Sequence, residues 1–433
     1  MVLERGWVMK HKITLFATLI FCLSASHQWL EPVEYDINVS YVNIWVKATD
    51  GKGKAVTDLS PADLQIFEDG KLVQSECFEQ VKYDISEVDP FAEFNDPVPG
   101  KEDSNSAKKF VVFLDLFNTT MGEMHFLQPK IQDFLLHEID DRSDVMLAAL
   151  LPNRKMGVLV PFTENHESVA DVIRKAPANQ TRDTKINRNK AQLLNMIRDW
   201  EQTGRDTDSP ADFYRRAVGM IRVLSQEEKE QGLYTLRALR TFSDYLATSD
   251  LGDHTVIVYV SGGFTTEPGR HYYTLLEAAM QRYLADPKIS EPDVVVSTPE
   301  QDFDMINDIK DTAWYMNRLN VTLYSIDARG MVNNGQDASN ENLLNLTAGG
   351  DDYFASHDHQ EALASLAKET GGLAFIGTQN FTRSFSSMVQ DLNHQYLVCY
   401  RAPEHKKRGQ YHKIQVVSKR RGLELRYRLG YVG

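Results

Sequence analysis

Three stretches of this chain end an unbroken apolar run on a group that could bind or react. Phe110 to Leu114 runs into Asp115, followed by Leu116, Phe117, Asn118, Thr119 and Thr120. Thr255 to Val260 runs into Ser261-Gly262-Gly263, and Val321 to Ile326 runs into Asp327, with Arg329 and Gly330 just beyond. Runs of this kind predict strands buried on both faces of a parallel sheet. The polar group then falls at the C-terminal strand end, where open α/β sheets place ligand sites. Asp115, Ser261 and Asp327 therefore mark one edge, with Asn118, Thr120, Gly262 and Gly263 beside them. A plainer reading stands next to this one. In it Asp115 caps a turn or the next helix, Asp327 pairs with Arg329 or a neighbour, and Ser261-Gly262-Gly263 serves a tight turn.

Catalytic patterns do not appear. The histidines form no HExxH arrangement, and His357-Asp358-His359 has the look of a polar surface loop. There is no Gly-x-Ser-x-Gly elbow and no Walker A loop, and neither Gly262-Gly263 nor Gly349-Gly350 has dinucleotide spacing. The expectation is that the chain is not an enzyme.

Placing three strand ends together takes a large fold, and 433 residues point to more than one domain. The net charge of −14 argues against nucleic acid as a partner. Residues 401–433 are the exception, with ten Lys/Arg against two acids. They read as solvated strand faces, or as a patch for an anionic surface. Residues 1–26 read as a signal peptide: Lys10, His11 and Lys12, an apolar run from Ile13, then small residues at Ser24, Ala25 and Ser26. The run is too short for a stable anchor, which takes roughly 20 residues. An exported, periplasmic or extracellular product with no transmembrane anchor is expected. After cleavage Cys77 and Cys399 remain. An even pair in an oxidising compartment invites a disulfide, and two buried thiols are the equal alternative.

Along the chain, 36–83 reads as a β segment with turns at Asp50-Gly51-Lys52-Gly53 and Glu68-Asp69-Gly70-Lys71. Residues 87–107 read as an acidic, Pro-containing linker. Residues 108–392 alternate strand and helix, interrupted at 177–231 by a polar, helical insertion and at 286–304 by an acidic excursion. Leu363, Leu366 and Ala367 mark a late helix ended by Gly371-Gly372, as a glycine C-cap would end it. Residues 393–433 return to β structure. The predicted fold class is α/β, a doubly wound and mostly parallel sheet, plus a small β domain built from the N- and C-terminal strands.

The order of landmarks resembles a known family. VTDLSPADLQIFEDGKLVQ is followed by FVVFLDLFNTT, TLRALRTFSDYLA and HTVIVYVSGGF, then VTLYSIDARG, LAKETGGLAFI and LELRYRLGYVG. Together these resemble the bacterial VWFA-related proteins of the acidobacterial type, whose central domain is like von Willebrand factor A. The resemblance implies a doubly wound sheet flanked by helices in an envelope or secreted setting, and it implies no enzymatic activity. It also implies a site for Mg²⁺ or Mn²⁺, since a hard dication takes oxygen ligands from adjacent strand ends. Mapped here, Asp115 and Thr119 fit, Thr235 is a loose candidate for the loop threonine, and Asp327 could replace a missing carboxylate. Phe117 falls where an oxygen ligand is expected, so the site is degenerate.

The expected function is an exported adhesion or scaffold module with a protein partner engaged at this edge. The rival is a metal-independent structural part of an envelope assembly, binding through 177–231 or the basic β tail.

Overall fold

The computed structural model describes residues 41–82, 109–139, 143–175, 184–202, 209–248, 254–284, 304–330, 351–403 and 409–432. The expected signal peptide, the linker 87–107, most of the acidic excursion and the side chain of His357 lie outside these. Among the described residues no helix is long and apolar enough to cross a membrane.

The N-terminal strands are β1 (Tyr41–Asp50), β2 (Leu64–Glu68), β3 (Lys71–Val73) and β4 (Ser75–Lys82). The α/β body follows with β5 (Lys109–Asp115), α1 (Met121–His137), β6 (Asp144–Leu150), β7 (Met156–Thr163) and α2 (His166–Lys175). Next come α3 (Thr184–Gln202), α4 (Pro210–Thr248), β8 (Thr255–Ser261), α5 (Arg270–Leu284) and α6 (Ile306–Arg318). The body closes with β9 (Val321–Asp327), α7 (Asp351–Glu369), β10 (Ala374–Phe375) and α8 (Phe381–Asn393). Four strands end the chain: β11 (His394–Arg401), β12 (Tyr411–Ser418), β13 (Leu423–Arg426) and β14 (Gly430–Val432).

The central sheet has the order β10-β9-β8-β5-β6-β7. Five strands are parallel and the edge strand β7 runs antiparallel to β6. The order reverses between β5 and β8, so the switch point of this doubly wound sheet lies between Asp115 and Ser261. Alternate residues of β5 feed two cores. Phe110, Val112 and Leu114 pack with α1, α2 and α8, while Val111 and Phe113 pack with α4, α6 and α7. Because both faces are covered, the strand sequence is continuously apolar rather than alternating.

The two ends of the chain form a pair of antiparallel four-stranded sheets, β13-β1-β11-β4 and β14-β12-β2-β3. Here the strands alternate: Val42, Ile44, Val46 and Ala48 point from β1 into a core shared with Ile66, Tyr396, Val398, Tyr400, Ile414 and Val416. In β11 and β4, Cys399 and Cys77 are direct cross-strand partners, 5.0 Å apart at Cα, and a disulfide joins them.

The sequence separates a helical insertion ending near 231 from an amphipathic helix after it. The structure makes both one continuous helix, α4, of 39 residues. At 1.5 Å per residue it reaches about 58 Å. Its C-terminal half packs on the sheet. Its N-terminal half builds a separate core with α3 and α5 around Leu193, Ile197, Trp200, Phe213, Ile221, Tyr272 and Leu276. No proline follows Pro210 within the helix, and Gly232 at the boundary serves close packing rather than a stop: a Cβ there would lie 2.6 Å from Met305 Cε.

The glycine stop of α7 is a C-cap. Gly371 has φ +77°, its N–H donates to Lys368 O at 3.1 Å, and Gly372 N–H donates to Ala367 O at 2.8 Å. Among the described residues of the basic tail, four arginines are engaged within the chain. Arg426 pairs with Asp391, Arg428 donates to Asn317 O and to Asn320, Arg420 pairs with Asp58 and Arg401 with Glu76.

Candidate functional site

The carboxylate of Asp115 is fully buried at the switch point. Four hydrogen bonds reach it. Asn118 N–H donates to Oδ1 at 3.1 Å. Asn118 Nδ2, Tyr259 Oη and Ser261 Oγ donate to Oδ2 at 2.7, 2.5 and 2.8 Å. Burial holds the Asp115 carboxyl above its ordinary value, and the bonds from Tyr259, Asn118 and Ser261 oppose that rise. Burial also raises the Tyr259 hydroxyl well above its usual range, and the Asp115 charge adds to the effect.

The network extends outward from there. Asn118 Nδ2 also donates to Thr235 Oγ1 at 2.8 Å, and Asn118 Oδ1 accepts from Gln231 Nε2 at 2.6 Å. Thr119 Oγ1 accepts from Gly262 N–H at 3.2 Å, and Ser261 Oγ accepts from Gly263 N–H at 2.9 Å. The parallel register of β8 and β9 sets Ser261 against Asp327. Asp327 is fully buried; its Oδ1 accepts from Arg329 N–H and Nε at 3.1 Å each, and its Oδ2 from Gln360 Nε2 at 2.9 Å. Thr120 is the N-cap of α1: its Oγ1 accepts from Glu123 N–H at 3.4 Å while Glu123 Oε2 accepts from Thr120 N–H at 2.6 Å.

The fold thus brings Asp115, Asn118, Thr119, Ser261, Gly262 and the loosely placed Thr235 into one cluster. Asp327 lies on the next strand with partners of its own. As arranged, the set does not fit a dication. A carboxylate offers about four lone-pair sites, and Asp115 meets four donors. A metal would face the protons of the Asn118 amide and the Tyr259 hydroxyl. Phe117, at the second ligand position of the turn, contributes a ring, which lies edge-on to Tyr234 with centroids 5.7 Å apart.

The expected open edge also needs correction. Asn118, Ser261, Gly262 and Gly263 are all buried, and of the set only Thr120 is partly exposed. Helix α7 closes over the strand ends. Gly263 has φ +72°, and a Cβ there would lie 2.5 Å from His359 O. Asp358 of the same helix accepts from Thr266 N–H at 2.8 Å and from the hydroxyls of Thr265 and Thr266. A helix drawn over its own strand ends by such contacts shields them from a partner.

Tyr259, Gln231 and Gln360 were not singled out from the sequence. Tyr259 left a trace there: it is the lone polar side chain inside the Thr255–Ser261 strand and lies two residues before Ser261, on the same face. Gln231 and Gln360 are ordinary polar residues on long helices, with nothing local to mark them.

No protein-family model matches this chain, and no curated protein matches it. Among solved structures it is similar to an aerotolerance-related membrane protein from Bacteroides fragilis, with 9% identity and TM-score 0.30 over 66% of this chain and 99% of that one. It is also similar to the conserved hypothetical protein BatB from Bacteroides thetaiotaomicron, with 8% identity and TM-score 0.26 over 66% and 97%. A third is the pilus adhesin SpaC from Lactobacillus rhamnosus GG, with 8% identity and TM-score 0.36 over 87% of this chain and 48% of that one.

Proposed function

We propose that this chain is an exported protein-interaction module whose strand-end cluster is locked by hydrogen bonds and works without a metal ion. The observation that carries the metal-free reading is the saturation of Asp115 by Asn118, Tyr259 and Ser261. A buried, fully bonded polar network fixes the geometry of the sheet edge more tightly than it invites a ligand. This reading is supported by the envelope or secreted setting that the sequence resemblance implies and by the absence of any catalytic pattern in the sequence. In this reading partners meet the rim of the edge rather than its buried floor.

A second reading, a structural part of an envelope assembly, is favoured by one observation: the helical subdomain of α3, α5 and the first half of α4 has its own core and carries the exposed Val223. The basic tail lends it less, because Arg426 and Arg428 are used internally.

The test is to immobilise the secreted chain and expose it to envelope extract of its own organism, with Mg²⁺ and with EDTA. A saturable protein partner retained equally in both supports the proposal. A partner released by EDTA would restore the metal-bridged reading. If a partner binds an Arg216/Val223 surface variant no longer, the helical subdomain is the binding part.

A further inference from the structure

Beside the buried cluster, the turn from β6 to β7 carries Arg154 in the left-handed region, at φ +64°. This conformation costs energy for a side-chain-bearing residue, and such residues gather at functional sites. The turn is closed by Arg154 N–H to Leu151 O at 2.9 Å and Leu151 N–H to Lys155 O at 2.8 Å. Tyr234 Oη donates to Arg154 O and fixes the turn against α4. The guanidinium is set over two rings, 5.7 Å from the centroids of both Phe117 and Tyr234. Phe117 N–H in turn donates to Leu150 O at 3.1 Å, which ties this platform to the strand end of β6.

Phe117 is the residue that denies the degenerate site one oxygen ligand, and above it stands a cation that belongs to the chain. Arg154 is exposed, Lys155 beside it is exposed, and among the described residues the Arg154 guanidinium makes no ion pair. Its ring contacts bias the fork toward one orientation, which lowers the side-chain entropy lost when a ligand binds. A planar fork held by its face and open at its edge matches a carboxylate through two parallel N–H···O bonds.

We infer that Arg154, seated on Phe117 and Tyr234, is the anchor for an acidic side chain of a protein partner. It supplies at the rim the positive charge that a dication would supply in an intact metal site. The inference rests on the interaction reading and deepens it by naming the partner's chemistry. Arg154 and Lys155 place two adjacent exposed cations at this turn, which offer an acidic segment a local attraction on a chain whose net charge is −14.

The probe is a fluorescein-labelled octapeptide of alternating Glu and Gly, read by anisotropy with the full secreted chain at low salt, beside the same peptide with Gln for Glu. The Glu peptide should bind and the Gln peptide should not. Arg154→Gln should weaken binding on the order of tenfold or more, while Arg154→Lys, which keeps the charge and loses the fork, should fall between. Melting curves should coincide for all three proteins, because the side chain is exposed. Equal binding by wild type and Arg154→Gln, equal binding of the Glu and Gln peptides, or no binding of either would each overturn the inference. None of these outcomes touches the interaction reading, which falls only if no partner is retained from the envelope extract.

Discussion

Tyr259 donates its hydroxyl proton to Asp115 Oδ2 at 2.5 Å, across the two strands between which the sheet reverses its order. Tyr259 lies opposite Phe113 in the parallel register, two residues before the aspartate, so its side chain leans along the strand to reach the carboxylate. This bond makes the carboxylate part of the core. Asp115→Ala should lower the unfolding free energy by about 3 kcal/mol or more, since four donors lose their acceptor, and Tyr259→Phe by about 1–3 kcal/mol. Urea unfolding of both singles and the double variant would measure the coupling, and additive losses would show that the pair does not interact.

The same carboxylate gives a pH dependence of defined sign. Its folded value lies above the ordinary 3.8, so the folded state binds the proton more tightly than the unfolded chain does. Its contribution is fully present below 3.8 and is lost as pH rises through the folded value. Relative to Asp115→Asn, the wild type should lose stability as pH is raised from about 3.8, and parallel curves for the two would refute the shift.

His271 predicts the opposite slope. Burial, aided by the Lys190 charge, lowers its imidazole from 6.5 to about 3. The unfolded chain binds the proton first, so stability is present above 6.5 and is lost as pH falls toward 3. Melting temperatures between pH 7 and 4 should drop less steeply in His271→Gln than in the wild type.

Metal should have no effect on folding. A ligand that binds only the folded state adds about 2.7 kcal/mol at a hundredfold excess over its dissociation constant. Thermal melts in Mg²⁺, Mn²⁺ and EDTA should superimpose. A rise with either metal that disappears in Asp115→Ala would mean that the hydrogen-bonded cluster rearranges to admit the ion.

Lys47 and Arg426 tie the β domain to the α/β body through Asp391, and the Cys77–Cys399 bridge ties β4 to β11 within the β domain; each link can be cut. Lys47, buried on β1, donates to Gly371 O at 2.7 Å and lies 3.8 Å from Asp391, which also pairs with Arg426 and accepts from Tyr324 Oη at 2.5 Å. Asp391→Ala leaves these groups without their anion and should cost about 3–5 kcal/mol. Reducing the Cys77–Cys399 bridge, which spans 322 residues of sequence, should cost about 2–4 kcal/mol. If the domains are coupled through these contacts, calorimetry should show one transition in the wild type and a separate, earlier β-domain transition in Asp391→Ala.

The strands of the central sheet were legible in the sequence because a strand covered on both faces must be apolar along its whole length, and the β domain was legible from its turns and frequent apolar positions. The convergence of the strand ends at Asp115, Ser261 and Asp327 followed from the same reading, since parallel strands carry their C-terminal residues to one edge; Thr119 was marked by the family resemblance instead. Local pattern could not reveal what fills that edge. Asp115 is bonded by Tyr259 from a strand 144 residues away and, through Asn118, by Gln231 from a helix, and these partners meet only when the sheet closes. Nor could the sequence show the edge to be shut, because its cover is helix α7 docking on Gly263 through backbone proximity, which leaves no periodic signature. The unbroken α4 was misjudged for a related reason: hydrophobicity changes where the helix passes from one core to another, and a change of packing partner looks the same as a helix end. The sequence determined which residues lie at the switch point; the tertiary structure decided that they bond to one another, because only the fold brings Tyr259 and Ser261 of β8 onto the buried carboxylate that ends β5, beside the Asn118 turn.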